Sequence, residues 1–144
     1  MIIEQILNDK GREVVTLRAD HTLREAAKLL DERRIGAVVA LAEDGAIVGV
    51  LSERDIVRQV ARQGGAALDM PVGEAMTRAV ITVPAETPVD EALQLMTDRR
   101  IRHLPIVRND RLTGFVSIGD LVKWKIAETE AEAQAMKSYL SAQF

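Results

Sequence analysis

Two short motifs place a serine three residues before an aspartate, each shortly after a glycine in an apolar segment. They run from Ser52 to Asp55 and from Ser117 to Asp120, and the preceding glycines are Gly49 and Gly114. Serine and aspartate at this spacing cap the start of a helix, and capping alone could account for each motif. The duplication and the glycines, which leave room for an approaching group, favour a ligand-binding role.

A carboxylate at a helix start suits a sugar better than a phosphate. The free N–H groups of a helix start attract anions, but the aspartate at the third position would repel a phosphate lodged beside it. The same carboxylate can accept hydrogen bonds from the two hydroxyls of a ribose. A phosphate would then lie further away, near arginine or histidine. The pairing of a diol acceptor with nearby cations describes a nucleotide site.

Arg102 and His103 are candidates for holding the phosphate of the second motif, because they enter the strand that contains Leu104 and Pro105. A guanidinium can bind phosphate oxygens in a bidentate manner. The alternative is that Arg102 is solvated and His103 ends a strand. Arg54, inside the first motif, could reach across to the ligand of the second copy or lie in water.

The chain consists of two related halves. Thr16 aligns with Thr82 at an offset of 82 − 16 = 66, and the paired Arg33-Arg34-Ile35 recurs as Arg99-Arg100-Ile101. After the next turn the offset is 120 − 55 = 65, which aligns Asp55 with Asp120. Internal repetition decides architecture. We therefore expect one domain, made of two units that are each too small to bury a core alone.

Composition narrows the function. The chain has 144 residues, of which 47% are hydrophobic, a net charge of −3 and no cysteine. The acidic balance argues against a nucleic-acid partner, and the lack of a long apolar run argues against a membrane partner. We expect a cytoplasmic protein. No nucleophile, metal-ligand or phosphate-loop motif is present, which predicts neither catalytic residues nor a metal site, and no enzyme activity.

Each unit reads as strand, helix, strand, strand, helix. The first strands are predicted at Val14–Leu17 and Val80–Val83, and helices with one apolar stripe follow them. Thr22 with Glu25, and Thr87 with Asp90, predict capping boxes, the second with Pro88 as the first helical residue. The remaining strands are predicted at Ala37–Leu41, Ile47–Leu51, Leu104–Val107 and Leu112–Val116. Pro105 cannot donate to a sheet, so its strand should lie at an edge or leave that position unpaired.

The predicted organisation has five parts. Residues 1–13 form a lead-in helix, 14–66 the first repeat, 67–79 a linker with a short helix, 80–126 the second repeat, and 127–144 a C-terminal helix. The C-terminal helix is expected from Glu128 to Leu140, and a short lead-in helix from residue 2 to residue 8. Either end helix could cover the core or pair with a neighbouring chain.

The motifs together resemble the signature of a CBS domain, over roughly residues 10–125. In the second copy they are Glu91-Ala92, Arg102-His103-Leu104-Pro105-Ile106-Val107 and Gly114-Phe115-Val116-Ser117-Ile118-Gly119-Asp120. In the first copy they are Glu25-Ala26, Ile35-Gly36-Ala37-Val38-Val39 and Gly49-Val50-Leu51-Ser52-Glu53-Arg54-Asp55. Two CBS domains in tandem form a Bateman module. The resemblance implies an α/β (α+β) fold in which two βαββα repeats pack about a pseudo-twofold axis, and a homodimer shaped as a flat disc.

The resemblance also implies adenosyl ligands, such as AMP, ADP, ATP, NAD or S-adenosylmethionine, in two clefts between the repeats. It places Asp55 and Asp120 at ribose and Ser52 and Ser117 beside the sugar or phosphate. Phosphate would meet Arg54, Arg102 and His103. Adenine would lie against Thr16, Thr82 and the segments Ile35, Gly36, Ala37 and Ile101 to His103, with Pro105 in the adjoining strand.

The two sites are expected to differ. Gly36-Ala37-Val38-Val39 stands where the family has Arg-His-Leu-Pro, so phosphate binding at the Asp55 site is in doubt and the Asp120 site is predicted to bind AMP more tightly. The leading hypothesis is a non-enzymatic sensor of adenine nucleotides. The competing hypothesis is a ligand-free structural adaptor that recruits an unidentified regulated protein.

Overall fold

A computed structural model of the chain describes residues 1–143. It is a mixed α and β structure, as predicted, and its hydrophobic residues form two separate cores, one for each repeat. The elements are α1 (Ile3–Lys10), β1 (Thr16–Arg18), α2 (Leu23–Arg33), β2 (Ala37–Leu41), β3 (Ile47–Ser52), α3 (Glu53–Gln63), α4 (Val72–Ala75), α5 (Val89–Arg99), β4 (His103–Arg108), β5 (Arg111–Ser117) and α6 (Ile118–Gln143). A 3₁₀ turn, Gly64–Asp69, separates α3 from α4.

The first repeat has a three-stranded sheet in the order β1-β2-β3. Strand β1 pairs parallel with β2, and β2 pairs antiparallel with β3. The central strand β2 is buried along its first four residues, and helices α2 and α3 cover it. The strands predicted at Ala37–Leu41 and Ile47–Leu51 agree with β2 and β3. The Glu43-Asp44-Gly45 sequence between them is a strong local signal for a turn.

The second repeat has only two strands, β4 and β5. The strand predicted at Val80–Val83 was wrong: only Val83 pairs, through an isolated parallel bridge to Ile106. In the first repeat Val39 N–H donates to Val15 O at 3.4 Å. The aligned residue in the second repeat is Pro105, which has no N–H, so the parallel ladder cannot extend there. As predicted, the Pro105 nitrogen is left unpaired; its carbonyl accepts from Val83 N–H.

The two predicted helix caps have different outcomes. The Thr22 side chain accepts a hydrogen bond from Glu25 N–H at 3.2 Å, but the return bond from Thr22 N–H to the Glu25 side chain is not formed, so this cap is half of the predicted capping box. The predicted cap at Thr87 was wrong, because Pro88 is the N-cap of α5 and contributes no side-chain hydrogen bond. Thr87 is buried instead, and its carbonyl accepts from Ile3 N–H at 2.9 Å. The lead-in segment is thus bonded to the backbone just before α5.

The two lead-in helices are exchanged between the repeats. Helix α1, which precedes the first repeat, packs Ile3, Ile6 and Leu7 into the core of the second. Helix α4, which precedes the second repeat, packs into the core of the first, and Val72 N–H donates to His21 O there at 2.7 Å. Each core is therefore closed by a segment that lies before the other repeat in the chain.

The glycine at the same place in each repeat has a structural cause in this exchange. A Cβ on Gly114 would lie 2.8 Å from Leu7 Cδ2, and one on Gly49 would overlap the Met76 side chain. The group that approaches the backbone at each glycine is thus a side chain of the exchanged segment. The glycines do not themselves point to a ligand.

The residues predicted as a C-terminal helix continue α6 without a break from Ile118. Helix α3, its counterpart, ends after Gln63 at Gly64, whose φ is +68°. Over residues 1–143, neither α6 nor any other helix combines the length and the apolar character that crossing a bilayer requires.

Candidate functional site

A cleft of about 260 Å³ lies between the two repeats. Its lining from the first repeat includes Gly36, Val50, Ser52, Glu53, Arg54, Asp55 and Arg58. Its lining from the linker and second repeat includes Thr77, Ala79, Val80, Ile81, Arg100, Ile101, Arg102, His103 and Pro105. The cleft therefore brings together charged groups from both halves of the chain.

Asp55 lies at the start of α3, held by a capping box. Its Oδ2 accepts from Ser52 N–H at 2.9 Å and from the Ser52 hydroxyl at 3.1 Å, and Asp55 N–H donates to Ser52 Oγ. The capping role predicted for the motif is thus confirmed. The Asp55 side chain is 11% exposed, and Oδ1 lies 3.6 Å from Arg58 Nη1. Because the box uses Oδ2, Oδ1 is the oxygen that can accept from a ligand.

In each repeat, the helix before the second strand ends at a residue in the left-handed region. Arg34 and Arg100 have φ of 53° and 54°, and the following N–H groups of Ile35 and Ile101 bond back to Leu30 and Met96. This cap turns the chain directly into β2 and β4. The repeated Arg-Arg-Ile is therefore a helix stop, which delivers Arg102 to the cleft.

Cations outnumber carboxylates in the lining. Arg54, Arg58, Arg100 and Arg102 face only two acids, Glu53 and Asp55. The first α3 N–H, of Glu53, is already bonded to Gly36 O at 2.9 Å. The guanidinium groups, and not the helix start, are the main source of attraction for an anion here.

His103 lies at the boundary between the repeats. Its ring stacks on Phe115 with centroids 5.4 Å apart, and a Cβ on Gly36 would lie 3.6 Å from its Nε2. Burial lowers the pKa of His103 below its ordinary value, and the charge of Lys10 lowers it further, against opposing effects of Asp120 and Glu53. The imidazole is accordingly neutral near pH 7.

Asp120 is the counterpart of Asp55 but has a different environment. Its Oδ2 accepts from Ser117 N–H at 2.8 Å and from Lys10 Nζ at 2.5 Å, and Asp120 N–H donates to Ser117 Oγ. Burial raises the pKa of Asp120, but hydrogen bonds from Lys10 and Ser117 outweigh it, so the pKa lies below its ordinary value. A lysine thus contacts the carboxylate that was predicted to bind a sugar.

The structure groups some of the predicted site residues and separates others. Gly36, Ser52, Arg54, Asp55, Ile101, Arg102, His103 and Pro105 share the cleft. Ala37 is buried, Ile35 lines a separate open groove between α2 and α3, and Thr16, Thr82, Ser117 and Asp120 are not part of the cleft lining. Arg102 and His103 therefore line the Asp55 cleft, and His103 is also near enough to Asp120 for that carboxylate to raise its pKa.

Several residues that line the cleft were not predicted from the sequence. Arg58 follows Asp55 by three residues and could have been found from helical spacing. Thr77, Val80 and Ile81 come from the linker and the irregular segment that replaces the expected strand. Lys10 lies 110 residues from its partner, and no local pattern indicates that contact. In the part of the chain that the structure describes, no three histidine or acidic side chains gather as metal ligands would.

Comparisons with known proteins agree with this architecture. The family model for the CBS domain matches residues 5–62 and 72–127. The CBS domain-containing protein CBSX3, mitochondrial, of Arabidopsis thaliana is 35% identical over 96% of this chain and 71% of its own. The crystal structure of the CBS-domain containing protein ATU1752 from Agrobacterium tumefaciens has a TM-score of 0.85 and 42% identity over 87% of this chain and 99% of that one.

A further solved structure contains a ligand. The CBS domain protein PAE2072 from Pyrobaculum aerophilum, complexed with AMP, has a TM-score of 0.73 and 33% identity. The match covers 83% of this chain and 89% of that one.

Proposed function

Because this chain belongs to the CBS domain family and carries two copies of the domain, we propose that it is a non-enzymatic regulatory module that binds an adenine nucleotide in the Asp55 cleft. The observation that carries the proposal is the meeting of Asp55 with four arginines and His103 in one cleft. AMP is the first candidate ligand, since a related structure holds it. ADP, ATP, NAD and S-adenosylmethionine remain candidates of the same chemical class.

The chemistry of the cleft matches the three parts of AMP. Asp55 Oδ1 accepts from ribose hydroxyls, since Oδ2 is used by Ser52. Arg102 and His103 bind the phosphate, with Arg54 as a further cation. Val80, Ile81 and Ile101 give apolar surface for adenine. The volume of about 260 Å³ is close to the lower limit of about 300 Å³ for small-molecule pockets, which supports a mononucleotide over a larger ligand.

The proposed assignment reverses the expected order of the two sites. AMP should bind more tightly at Asp55 than at Asp120, because Arg102 and His103 line the Asp55 cleft and Lys10 pairs with Asp120 at 2.5 Å. Binding at Asp120 requires displacement of that ammonium group. The second site is therefore proposed as the weaker one, still formed by Ser117 and Asp120.

Titration calorimetry with AMP tests the assignment. Asp55→Asn keeps an acceptor for Ser52 and removes the charge, so affinity should fall about tenfold or more. Asp120→Asn is the matched control and should leave the tight site intact. If Asp120→Asn abolishes binding while Asp55→Asn does not, the cleft assignment is wrong.

We also propose that the chain forms a homodimer in the cytoplasm. The outer faces of the counterpart helices α3 and α6 expose Val57 (66%) and Val60 (38%), and Ile118 (37%) and Val122 (41%). Val57 and Val122 are counterparts at the offset of 65, so the two helices share one exposed apolar position, which supports an interface between copies. Sedimentation of the purified chain and fractionation of cells that express it would test the two statements.

A ligand-free adaptor is the second candidate, and the Lys10–Asp120 pair favours it, because that contact satisfies one proposed ligand group within the chain. A thermal-shift screen separates the two functions. A ligand at one hundred times its Kd stabilises the fold by about 2.7 kcal/mol. If millimolar AMP, ATP, NAD and S-adenosylmethionine all leave the melting temperature unchanged, the adaptor is the better description.

A further inference from the structure

The C-terminal half of α6 is not buried against either core. Every residue from Thr129 to Gln143 is exposed, a length of about 22 Å at 1.5 Å per residue. The first turns of α6 are different, because Leu121 and Trp124 pack into the core of the second repeat. Isolated helices of about 12–15 residues are marginal in water, since tertiary packing supplies most helical stability. The exposed half therefore lacks the contact that normally stabilises such a helix.

A continuous stripe of seven-residue periodicity runs along the exposed helix. We name it the α6 seam; it consists of Val122, Ile126, Thr129, Ala133, Met136 and Leu140. The steps between these residues alternate between four and three, as in the a and d positions of a coiled coil. Ile126, Met136 and Leu140 are 55%, 59% and 50% exposed. Helix α6 thus presents a seam suited to a second helix.

Charges beside the seam select the orientation of that second helix. In a parallel pair in register, a residue on one flank faces the residue five positions later in the other helix. Glu132 then faces Lys137, and Lys125 faces Glu130, so each flank joins opposite charges. A fully overlapping antiparallel pair would instead bring Lys123 near Lys137 and Glu130 near Glu130. Of these two arrangements, only the parallel one brings opposite charges together.

From the exposed seam and its flanking charges, we propose that α6 pairs with α6 of a second copy of this chain, parallel and in register. The proposal rests on the proposed homodimer and specifies the surface that holds it. Lys125 is already bonded to Asp90 at 2.8 Å, so the contact between Glu132 and Lys137 is the more direct one to test.

Cysteine cross-linking tests the register, because the chain has no cysteine of its own. In a parallel pair Leu140 meets Leu140, within the Cα separation of about 4.4–6.8 Å that a disulfide needs. Leu140→Cys should give more than about half cross-linked dimer on mild oxidation. Ser138→Cys lies on the same turn but faces away from the seam, and should give only background. Equal cross-linking of the two variants, or none at Leu140→Cys, overturns the register.

A charge exchange tests the contact without altering the seam. Glu132→Lys places like charges opposite each other twice per dimer and should raise the dimer Kd about tenfold at low salt. Adding Lys137→Glu restores opposite charges and should return the Kd to within about threefold of the original. If the double variant is no tighter than the single one, the parallel pairing is wrong.

The outcomes separate this inference from the proposed function. If the chain stays monomeric at all concentrations, both the proposed homodimer and the α6 pairing are wrong. A dimer that survives with Leu140→Cys uncross-linked removes only the α6 pairing. AMP titration at the Asp55 cleft is independent of both results.

Discussion

Lys10 Nζ lies 2.5 Å from Asp120 Oδ2 and 2.9 Å from Phe115 O. Asp55, the counterpart of Asp120, faces Arg58 across 3.6 Å from its own helix. The two equivalent carboxylates thus have unlike partners: one is bound by the lead-in helix of the chain, and the other borders an open cleft. The difference comes from α1, and it makes the two candidate sites unequal.

Removing the Lys10 ammonium should open the second site. In Lys10→Met the stem length is kept while the charge is lost, and the AMP stoichiometry should rise from one towards two per chain. Calorimetry measures this number directly. Lys28→Met removes an exposed lysine on α2 and should leave the stoichiometry at one. A stoichiometry of one in both variants would show that Lys10 does not obstruct the site.

The same pair should make stability sensitive to acid. Since the folded pKa of Asp120 lies below its ordinary value of 3.8, its contribution is present above about pH 4 and lost as the pH falls through the folded pKa. Lys10→Met removes the largest favourable cause of that shift, so it should destabilise the chain at pH 7. Below the folded pKa of Asp120, the difference in unfolding free energy between Lys10→Met and the wild type should become smaller. Urea unfolding at pH 7 and in strong acid measures both; a constant difference contradicts the linkage.

His103 should report on phosphate binding by taking up a proton. Burial and Lys10 keep its pKa below 6.5, so the imidazole is neutral in the free protein near pH 7, whereas a phosphate beside it would favour the charged form. AMP affinity should therefore rise between pH 7.5 and pH 6. His103→Gln retains the titration of the phosphate itself and should show a weaker pH dependence. Equal slopes in the two proteins would remove His103 from the phosphate site.

Without a ligand, protonation of His103 should lower the stability of the fold. With a folded pKa below the unfolded value, neutral His103 supports stability above about pH 6.5, and this support is lost as the pH falls through the folded pKa. Lys10→Met removes a nearby positive charge and should raise the pKa of His103. Proton NMR of the ring measures that shift, and an unchanged value would mean that Lys10 does not influence the imidazole.

A substitution at Gly114 should loosen α1. Gly114→Ala introduces a Cβ 2.8 Å from Leu7 Cδ2, and overpacking of this kind costs about 1–3 kcal/mol. Gly65→Ala meets nothing within 4 Å and serves as the control. Adding Leu7→Ala to Gly114→Ala relieves the overlap, so the double variant should lose less stability than the two single losses added together. Full additivity in thermal unfolding would contradict the contact.

The sequence predicted the fold well where signals are local. The β2–β3 hairpin and the serine caps of α3 and α6 each depend on residues within a few positions of one another. The strand expected at Val80–Val83 failed because pairing needs a donor on the neighbouring strand, and Pro105 supplies none. The cap expected at Thr87 failed because α5 begins one residue later, at Val89, so the N-cap is Pro88, which has no polar side chain.

Many residues of the candidate site were identified from the sequence, but which of them lie together was not predicted. Asp55, Arg54, Arg102 and His103 were all identified from the sequence, but not that Arg102 and His103 share a cleft with Asp55. Each sequence motif groups residues within one repeat, whereas the cleft joins residues across the boundary between the repeats. Only the packing of one half on the other decides which cations meet which carboxylate.

The exchange of α1 and α4 makes the two repeats depend on each other. A fragment cut between them would hold one core without the segment that closes it, because that segment lies before the other repeat. Two such fragments, mixed, would each carry the piece that the other lacks.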